Sequence, residues 1–153
     1  MKPSERLAEL KLTLPQSAKP IGSYVPANRS GRWILTSGQL PFREGKLVYS
    51  GKVPGDVPLA DAADGARIAM LNCLAAAAHV AGGIDAIQRV VRVCVFVNSG
   101  PGFFEQPKVA NGASDLLVQI FGDAGRHARS AIGVAELPMN SAVEVELIVE
   151  AAE

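Results

Sequence analysis

The chain has 153 residues, about the length of one domain and too short for two domains with separate cores. Apolar residues make up 48% of it and charged residues 20%, a composition that excludes a disordered chain. Fifteen Lys and Arg balance fifteen Asp and Glu, so there is no excess of positive charge to follow a phosphate backbone. We therefore expect a globular domain that does not bind nucleic acid.

The cysteines and the N-terminus argue against an exported, metal-binding or membrane protein. Cys73 and Cys94 form no CxxC pair and lie near no His at metal-ligand spacing. Residues 1–14 carry five charged side chains, unlike the apolar core of a signal peptide. The longest apolar stretches fall well short of the ~18 residues that span a bilayer, and neither glycine-rich phosphate-binding pattern occurs. We predict a cytoplasmic protein without a metal, a nucleotide cofactor or a membrane contact.

The N-terminal part of the sequence predicts a short helix followed by strands. Residues 4–12 have helical spacing, with Ser4 as a possible N-cap, and the prolines that follow end this helix. Residues 33–35 predict a strand that runs into the polar segment 36–39, and residues 46–53 predict a further strand. This part therefore reads as an arm before a β section.

A long helix and a buried strand are predicted next. Asp61 can serve as an N-cap with Asp64 at the N3 position, and apolar residues then recur at helical spacing as far as the stop signal at Gly82. Residues 90–97 are almost continuously apolar and β-branched, which is typical of a central strand.

The last third of the sequence predicts a second helix over residues 103–121 and two final strands over 128–137 and 142–151. The last strand alternates between apolar and mainly acidic residues, so its two sides should face different surroundings. Two helices on a mixed sheet give one α+β domain.

Arg129 is the strongest candidate for binding a small acid. Its neighbours Ala128 and Ala131 suit a partly apolar cleft, in which a planar guanidinium can hold a carboxylate through two hydrogen bonds. The plainer alternative is a surface arginine in a salt bridge. His79 and His127 have no spacing typical of a catalytic triad, and we interpret both as structural.

A carboxylate and a glycine turn are weaker candidates. Glu144, Glu146 and Glu150 share one face of the last strand, where a solvated face is the default. If one of them lies in a subunit interface instead, burial would raise its pKa and suit it to proton transfer. Ser37 and Gly38 would let a ligand approach the backbone closely, although an ordinary turn is the simpler interpretation.

Taken together and in this order, several segments resemble the YjgF/RidA family of small enamine and imine deaminases. The resemblance spans residues 20–150 and rests on IGSY at 21–24, LTSGQLP at 35–41, VVRVCVFV at 90–97, ARSA at 128–131 and LP at 137–138 leading into VEVE at 143–146. It divides the chain into an N-terminal arm, residues 1–19, and a single domain, residues 20–153.

The resemblance implies a chorismate-mutase-like α+β fold, in which a mixed sheet carries two helices on one face and three copies form a homotrimer with clefts between subunits. It also implies an activity that needs no cofactor. Reactive 2-enamine and 2-imino acids, such as 2-aminoacrylate, 2-iminopropanoate and 2-iminobutanoate, would be hydrolysed to 2-oxo acids and ammonia.

Roles for individual residues follow from the same resemblance. Arg129 would grip the substrate carboxylate, and Glu144 would orient or deprotonate the attacking water. Four further residues would contribute to substrate binding: Tyr24, Ser37, Gly38 and Asn111. Among these, Tyr24 would form a wall of the cleft, and Asn111 is the nearest match to an asparagine of the second helix in relatives.

Two departures from the family pattern leave other functions open. Ala131 stands where many relatives have Cys, and segment 99–111, which would form part of the cleft wall, is longer and different. One alternative is a pathway-specific hydrolase of a larger enamine. Another is a non-catalytic regulatory trimer that binds a small carboxylate through Arg129. Translation inhibition and endoribonuclease activity, which family names also suggest, are the least favoured because a basic patch is missing.

Overall fold

In the computed structural model, which describes residues 1–17 and 22–153, a five-stranded mixed sheet carries two long helices on one face. The helices are α1 (Pro3–Glu9), α2 (Leu59–Ala81) and α3 (Gln106–Phe121). The strands are β1 (Ala27–Ser30), β2 (Trp33–Thr36), β3 (Phe42–Arg43), β4 (Lys46–Leu47), β5 (Ile87–Asn98), β6 (Ala128–Val134) and β7 (Val143–Ala151). This arrangement confirms the predicted α+β fold.

The order of strands in the sheet is β1-β2-β7-β5-β6, and β3 and β4 form a separate hairpin. β5 and β6 are parallel, whereas the other neighbouring strands are antiparallel. β7 is therefore the middle strand and β6 lies at one edge. The strand predicted over residues 90–97 is part of β5, which lies between β7 and β6 and is therefore an inner strand, as predicted.

The alternation along β7 gives the sheet two different faces. Val143, Val145, Leu147 and Val149 are buried in the core beneath the helices. The residues between them point to the opposite face, because successive side chains of a strand alternate. We call this second side, which α2 and α3 leave uncovered, the open face.

α3 packs very closely against α2 at a pair of small residues. A Cβ atom added to Gly112 would lie 2.7 Å from the carbonyl carbon of Ala63, closer than real contacts allow. Glycine is therefore required for this approach. The contact fixes the position of α3, and with it two polar residues that face β6, Asn111 and Ser114.

Both predicted helix caps are wrong, because Asp61 and Ser4 lie inside helices that begin earlier. α2 begins at Leu59 after Pro58, and Asp64 accepts a hydrogen bond of 2.7 Å from the Tyr49 hydroxyl. Ser4 lies inside α1, where its amide and hydroxyl groups donate to the Asp85 carboxylate at 2.8 and 2.6 Å.

Four predicted elements are shorter than expected. The first helix ends at Glu9 rather than at residue 12, and β6 ends at Val134 rather than at residue 137. Within residues 46–53, only β4 is a regular strand, since the positive φ angles of Tyr49 (65°) and Gly51 (125°) turn the chain. The second long helix begins at Gln106 rather than at residue 103, after a loop. These changes leave the order of the elements intact.

The N-terminal segment packs on the domain through α1, whose Leu7 is buried in the core. The predicted boundary between residues 19 and 20 lies outside the described residues and stays a prediction. In the part of the chain that the structure describes, no helix combines the length and apolar character that crossing a membrane requires.

Candidate functional site

Arg129 lies near the start of β6 and is held by α3. Its Nη1 atom donates to Asn111 Oδ1 at 2.8 Å and to Ser114 Oγ at 3.1 Å. The two acceptors are three residues apart and therefore lie on the same side of the helix. The structure thus brings together Arg129 and Asn111, both predicted from the sequence, and adds Ser114.

These two bonds use both hydrogens of Nη1, so three guanidinium donors remain, two on Nη2 and one on Nε. No carboxylate among residues 1–17 and 22–153 lies within 4.0 Å of the Arg129 guanidinium. The salt bridge considered as the plainer alternative is therefore not formed by the described residues of one chain. The Nε and Nη2 side of Arg129 is the side that can hold a ligand.

A histidine continues the network behind Arg129. The Nδ1 atom of His127 lies 2.6 Å from the Gly125 carbonyl oxygen, and its Nε2 atom lies 2.9 Å from Ser114 Oγ. Sequence reasoning missed Ser114 and treated His127 as merely structural. The available signals were positional: Ser114 is one helical turn from Asn111, and His127 precedes Arg129 by two residues.

Glu144 lies on the open face of β7 beneath the Gly38 backbone. A Cβ atom added to Gly38 would lie 2.9 Å from Glu144 Cδ, so a larger residue at position 38 would displace this carboxyl group. Burial, and secondarily the negative charge of Glu146, raise the pKa of Glu144. Glu144 therefore keeps its proton to a higher pH than an exposed glutamate does.

Ser37 anchors the segment that leads from Tyr24. The Ser37 amide donates to the Pro26 carbonyl at 2.8 Å, and its hydroxyl donates to the Val25 carbonyl at 2.6 Å. The side chain of Ser37 thus supports the backbone next to Tyr24, and the Tyr24 residue itself remains 55% exposed. These residues and Gly38 come from one continuous region before the hairpin.

Arg129 and Glu144 point to opposite faces of the sheet. Val93 of β5 is paired with both Arg129 and Leu147, and Leu147 is buried beneath the helices. Glu144 is paired with Phe96, three residues farther along β5. Because paired residues share a face and neighbouring residues alternate, a single chain does not bring the two predicted catalytic residues together.

The open face exposes large apolar side chains. Trp33 and Leu35 of β2 and Ile132 of β6 remain 48, 45 and 43% exposed. Leu35 is paired with Ile148 and Ile132 with Phe96, so they extend across the sheet on the same side as Glu144. Several exposed apolar side chains on one sheet face are typical of a surface that contacts protein.

Segment 99–111 packs over β6 on the helix side, next to Arg129. Gln106 donates to Ser99 Oγ at 3.2 Å, and a Cβ atom on Gly133 would lie 2.7 Å from Gln106 Nε2. Ala131 lies between Arg129 and Gly133 on this side of the strand. Segment 99–111, which differs from the family pattern, thus packs closely against β6, where this strand carries small residues.

The thiols of Cys73 and Cys94 are both buried. Burial raises the pKa of Cys73 to about 12, and burial also raises the pKa of Cys94. Neither is suited to act as a nucleophile. Within the described ranges, no three His, Cys, Asp or Glu side chains gather in a way that could hold a metal ion.

Comparison with known proteins places these features in a family. The family model described as "YjgF/chorismate mutase-like, putative endoribonuclease" matches residues 4–151. The chain belongs to this YjgF family. Protein TCP17 of Trypanosoma cruzi is 41% identical over 145 residues, which are 94% of this chain and 91% of that protein.

Two further YjgF relatives bear on fold and chemistry. A 2-iminobutanoate/2-iminopropanoate deaminase of Dermatophagoides farinae is 30% identical over 140 residues, 90% of this chain and 93% of that protein. The crystal structure of a "putative endoribonuclease" of Shewanella oneidensis is 36% identical with a TM-score of 0.94, covering 98% of this chain and 99% of that one. The family and fold expected from the sequence are therefore confirmed, and the YjgF family includes imine deaminases.

Proposed function

We propose that this protein is a cytoplasmic, cofactor-independent hydrolase that converts 2-enamine and 2-imino acids to 2-oxo acids and ammonia. The observation that carries the proposal is the state of Arg129. Asn111 and Ser114 occupy Nη1, while Nε and Nη2 are left to form a two-donor fork. Such a fork matches a carboxylate and fixes the adjoining carbon.

Once the carboxylate is fixed, the reaction needs few further groups. An enamine first takes up a proton on its β-carbon and becomes an imine. Water then adds to the imine carbon, a proton passes to nitrogen, and the carbon–nitrogen bond breaks to release ammonia and the 2-oxo acid. A positioned imine is electrophilic, so orientation of substrate and water supplies much of the acceleration.

Glu144 is suited to move the protons. Its raised pKa is closer to neutral pH than that of an exposed glutamate, so the carboxylic acid can donate a proton and the resulting carboxylate can accept one. In this proposal, Glu144 protonates the enamine or the departing nitrogen and takes a proton from the attacking water. Gly38 lies directly above the carboxyl group and so limits its access to solvent.

The opposite orientations of Arg129 and Glu144 support a site between subunits. We propose a homotrimer in which each cleft combines Arg129 and Asn111 of one chain with Glu144, Gly38 and Tyr24 of the partner subunit. The exposed apolar side chains of the open face favour such an assembly. The partners of this protein are therefore two further copies of itself and a small 2-imino or 2-oxo acid.

The function can be tested by adding the purified protein to a threonine or serine dehydratase, which generates the imine in the cuvette. We expect faster release of 2-oxobutanoate or pyruvate with no added metal or cofactor. Binding of 2-oxobutanoate without any acceleration would instead assign a non-catalytic carboxylate-binding role. Absence of both acceleration and binding would reject the carboxylate site, and a larger enamine would become the substrate to test.

A further inference from the structure

A hydrogen-bonded chain runs from Arg129 through Ser114 and His127 to the backbone, and the fixed donors and acceptors at its two ends set its direction when the imidazole is neutral. The Gly125 carbonyl can only accept, so Nδ1 of His127 carries a hydrogen. The guanidinium can only donate, so Ser114 Oγ accepts from Arg129. In the neutral imidazole, Nε2 then accepts the hydroxyl hydrogen of Ser114.

The far end of this chain is rigid. Gly125 is buried, and a Cβ atom at this position would lie 2.7 Å from the carbonyl carbon of Leu117 in α3. The carbonyl that holds His127 is therefore fixed against the same helix that carries Ser114. Such a fixed anchor leaves the imidazole little freedom to turn.

We propose that His127 is a positioning residue for Arg129, an inference that rests on the carboxylate-binding role assigned to Arg129 above. By accepting the hydroxyl hydrogen of Ser114, His127 turns the oxygen lone pairs of Ser114 toward Nη1. Asn111 and Ser114 then hold both hydrogens of that nitrogen, which fixes the plane of the guanidinium. Nε and Nη2 are thereby kept in one orientation for the ligand. His127 itself touches no substrate in this arrangement.

The proposal distinguishes His127 from an ordinary packing residue. Because His127 acts only through Ser114, its loss should have no effect once the Ser114 hydroxyl is gone. A side chain that merely fills space would weaken binding equally in both backgrounds. Retention of an acceptor near the Nε2 position should also suffice, so His127→Gln should preserve most of the effect.

The main experiment measures binding of 2-oxobutanoate by calorimetry in mildly alkaline buffer. Because 2-oxobutanoate is a product of the proposed reaction, this measurement does not depend on turnover. We expect His127→Phe and Ser114→Ala each to raise the Kd about tenfold, the effect of one lost hydrogen bond to a charged group. His127→Gln should stay within about threefold of wild type on the same scale. The double variant should bind no more weakly than Ser114→Ala alone. His79→Phe, at an exposed position of α2, is the matched control.

A second measurement needs no ligand. Nitrogen NMR should show His127 with its hydrogen on Nδ1, whereas His79, the other histidine of the sequence, provides an internal reference. Rotation of the Arg129 guanidinium should be slow in the wild type and faster in His127→Phe.

Hydrogen on Nε2, or unchanged rotation in His127→Phe, would overturn the proposal. Equal and additive losses in the double variant would also overturn it. If the wild type binds 2-oxobutanoate and shows these signatures but does not accelerate imine hydrolysis, the proposed function fails while the role of His127 stands. If hydrolysis is rapid and unaffected by His127→Phe, the proposed function stands while the role of His127 fails.

Discussion

Arg129 and Glu144 project from opposite faces of one sheet. Val93 is paired with both Arg129 and buried Leu147, whereas Glu144 is paired with Phe96, three residues farther along β5 and so on the other face. A reaction that uses both residues must therefore combine two chains. The proposal for the site and the proposal for the assembly are thus linked, and each can be tested through the other.

Mixed assemblies provide the most direct test. Arg129→Ala and Glu144→Gln should each abolish most hydrolysis. If each cleft takes one residue from each of two chains in a cyclic assembly, the two variants expressed together should recover about a quarter of wild-type activity per site. The statistical reason is that one arrangement in four places two intact residues in the same cleft. Mixing variants that carry Arg129→Ala and Arg129→Lys provides the control. Failure to recover activity in mixed assemblies of wild-type mass would place both residues of a site in one chain.

Arg129→Lys should not restore function, since lysine keeps the charge but cannot offer two coplanar donors. We expect the second-order rate constant for imine hydrolysis to fall at least about a hundredfold, with a similar or larger loss in Arg129→Ala. Arg67→Lys is a matched control, because Arg67 lies on α2 and donates to Gln119 on α3. Thermal unfolding should stay close to wild type in all three variants. Near-wild-type turnover in Arg129→Ala would remove the carboxylate grip from the mechanism.

Glu144 should make stability depend on pH in a defined direction. Its pKa is higher in the folded protein, so the folded state binds the proton more tightly than the unfolded chain does. Stability should therefore fall as the pH rises from the ordinary glutamate pKa through the raised value. Glu144→Gln should remove this fall and be relatively more stable near neutrality, as measured by urea unfolding at fixed protein concentration. The exposed Glu136→Gln is the control; identical pH profiles for wild type and Glu144→Gln would contradict the assignment.

Gly112→Ala should destabilise the fold, because the added methyl group would collide with the Ala63 backbone. We expect a loss of about 2 kcal/mol or more in the free energy of unfolding, typical of overpacking in a close contact. Gly55→Ala is the matched control, since a Cβ atom there meets nothing within 4 Å. The displaced α3 should also weaken 2-oxobutanoate binding. Equal stability of the two variants would show that the helices can separate without cost.

The sequence predicts this fold well where periodicity is strong and less well where tertiary partners decide. The alternation of Val143, Val145 and Leu147 identifies both the strand and its two faces, because burial acts on every second residue. Asp61 fails as the N-cap because α2 already begins at Leu59. The carboxylate of Asp64, the expected N3 residue, instead accepts from the Tyr49 hydroxyl, a contact that local spacing does not contain.

The candidate site shows the same division. Arg129 follows from its neighbours and from the family resemblance, Asn111 follows from the resemblance alone, and the structure joins them directly. The sequence does not single out Ser114 and favours a structural interpretation of His127, because a serine in a helix and a histidine before a strand have many ordinary roles. Only the packing of α3 on β6 reveals that they lie behind the guanidinium.

β6 is one of the two edge strands of the sheet, and it carries Arg129. The backbone groups along its outer edge have no strand beside them in the five-stranded sheet of one chain, and such edges readily accept another chain. A second copy lying along this edge would cover these groups, and the proposed site requires that its Glu144 then reach the guanidinium. Assembly and completion of the site would then be a single event, so dilution below the assembly concentration would switch off hydrolysis in chains that remain folded.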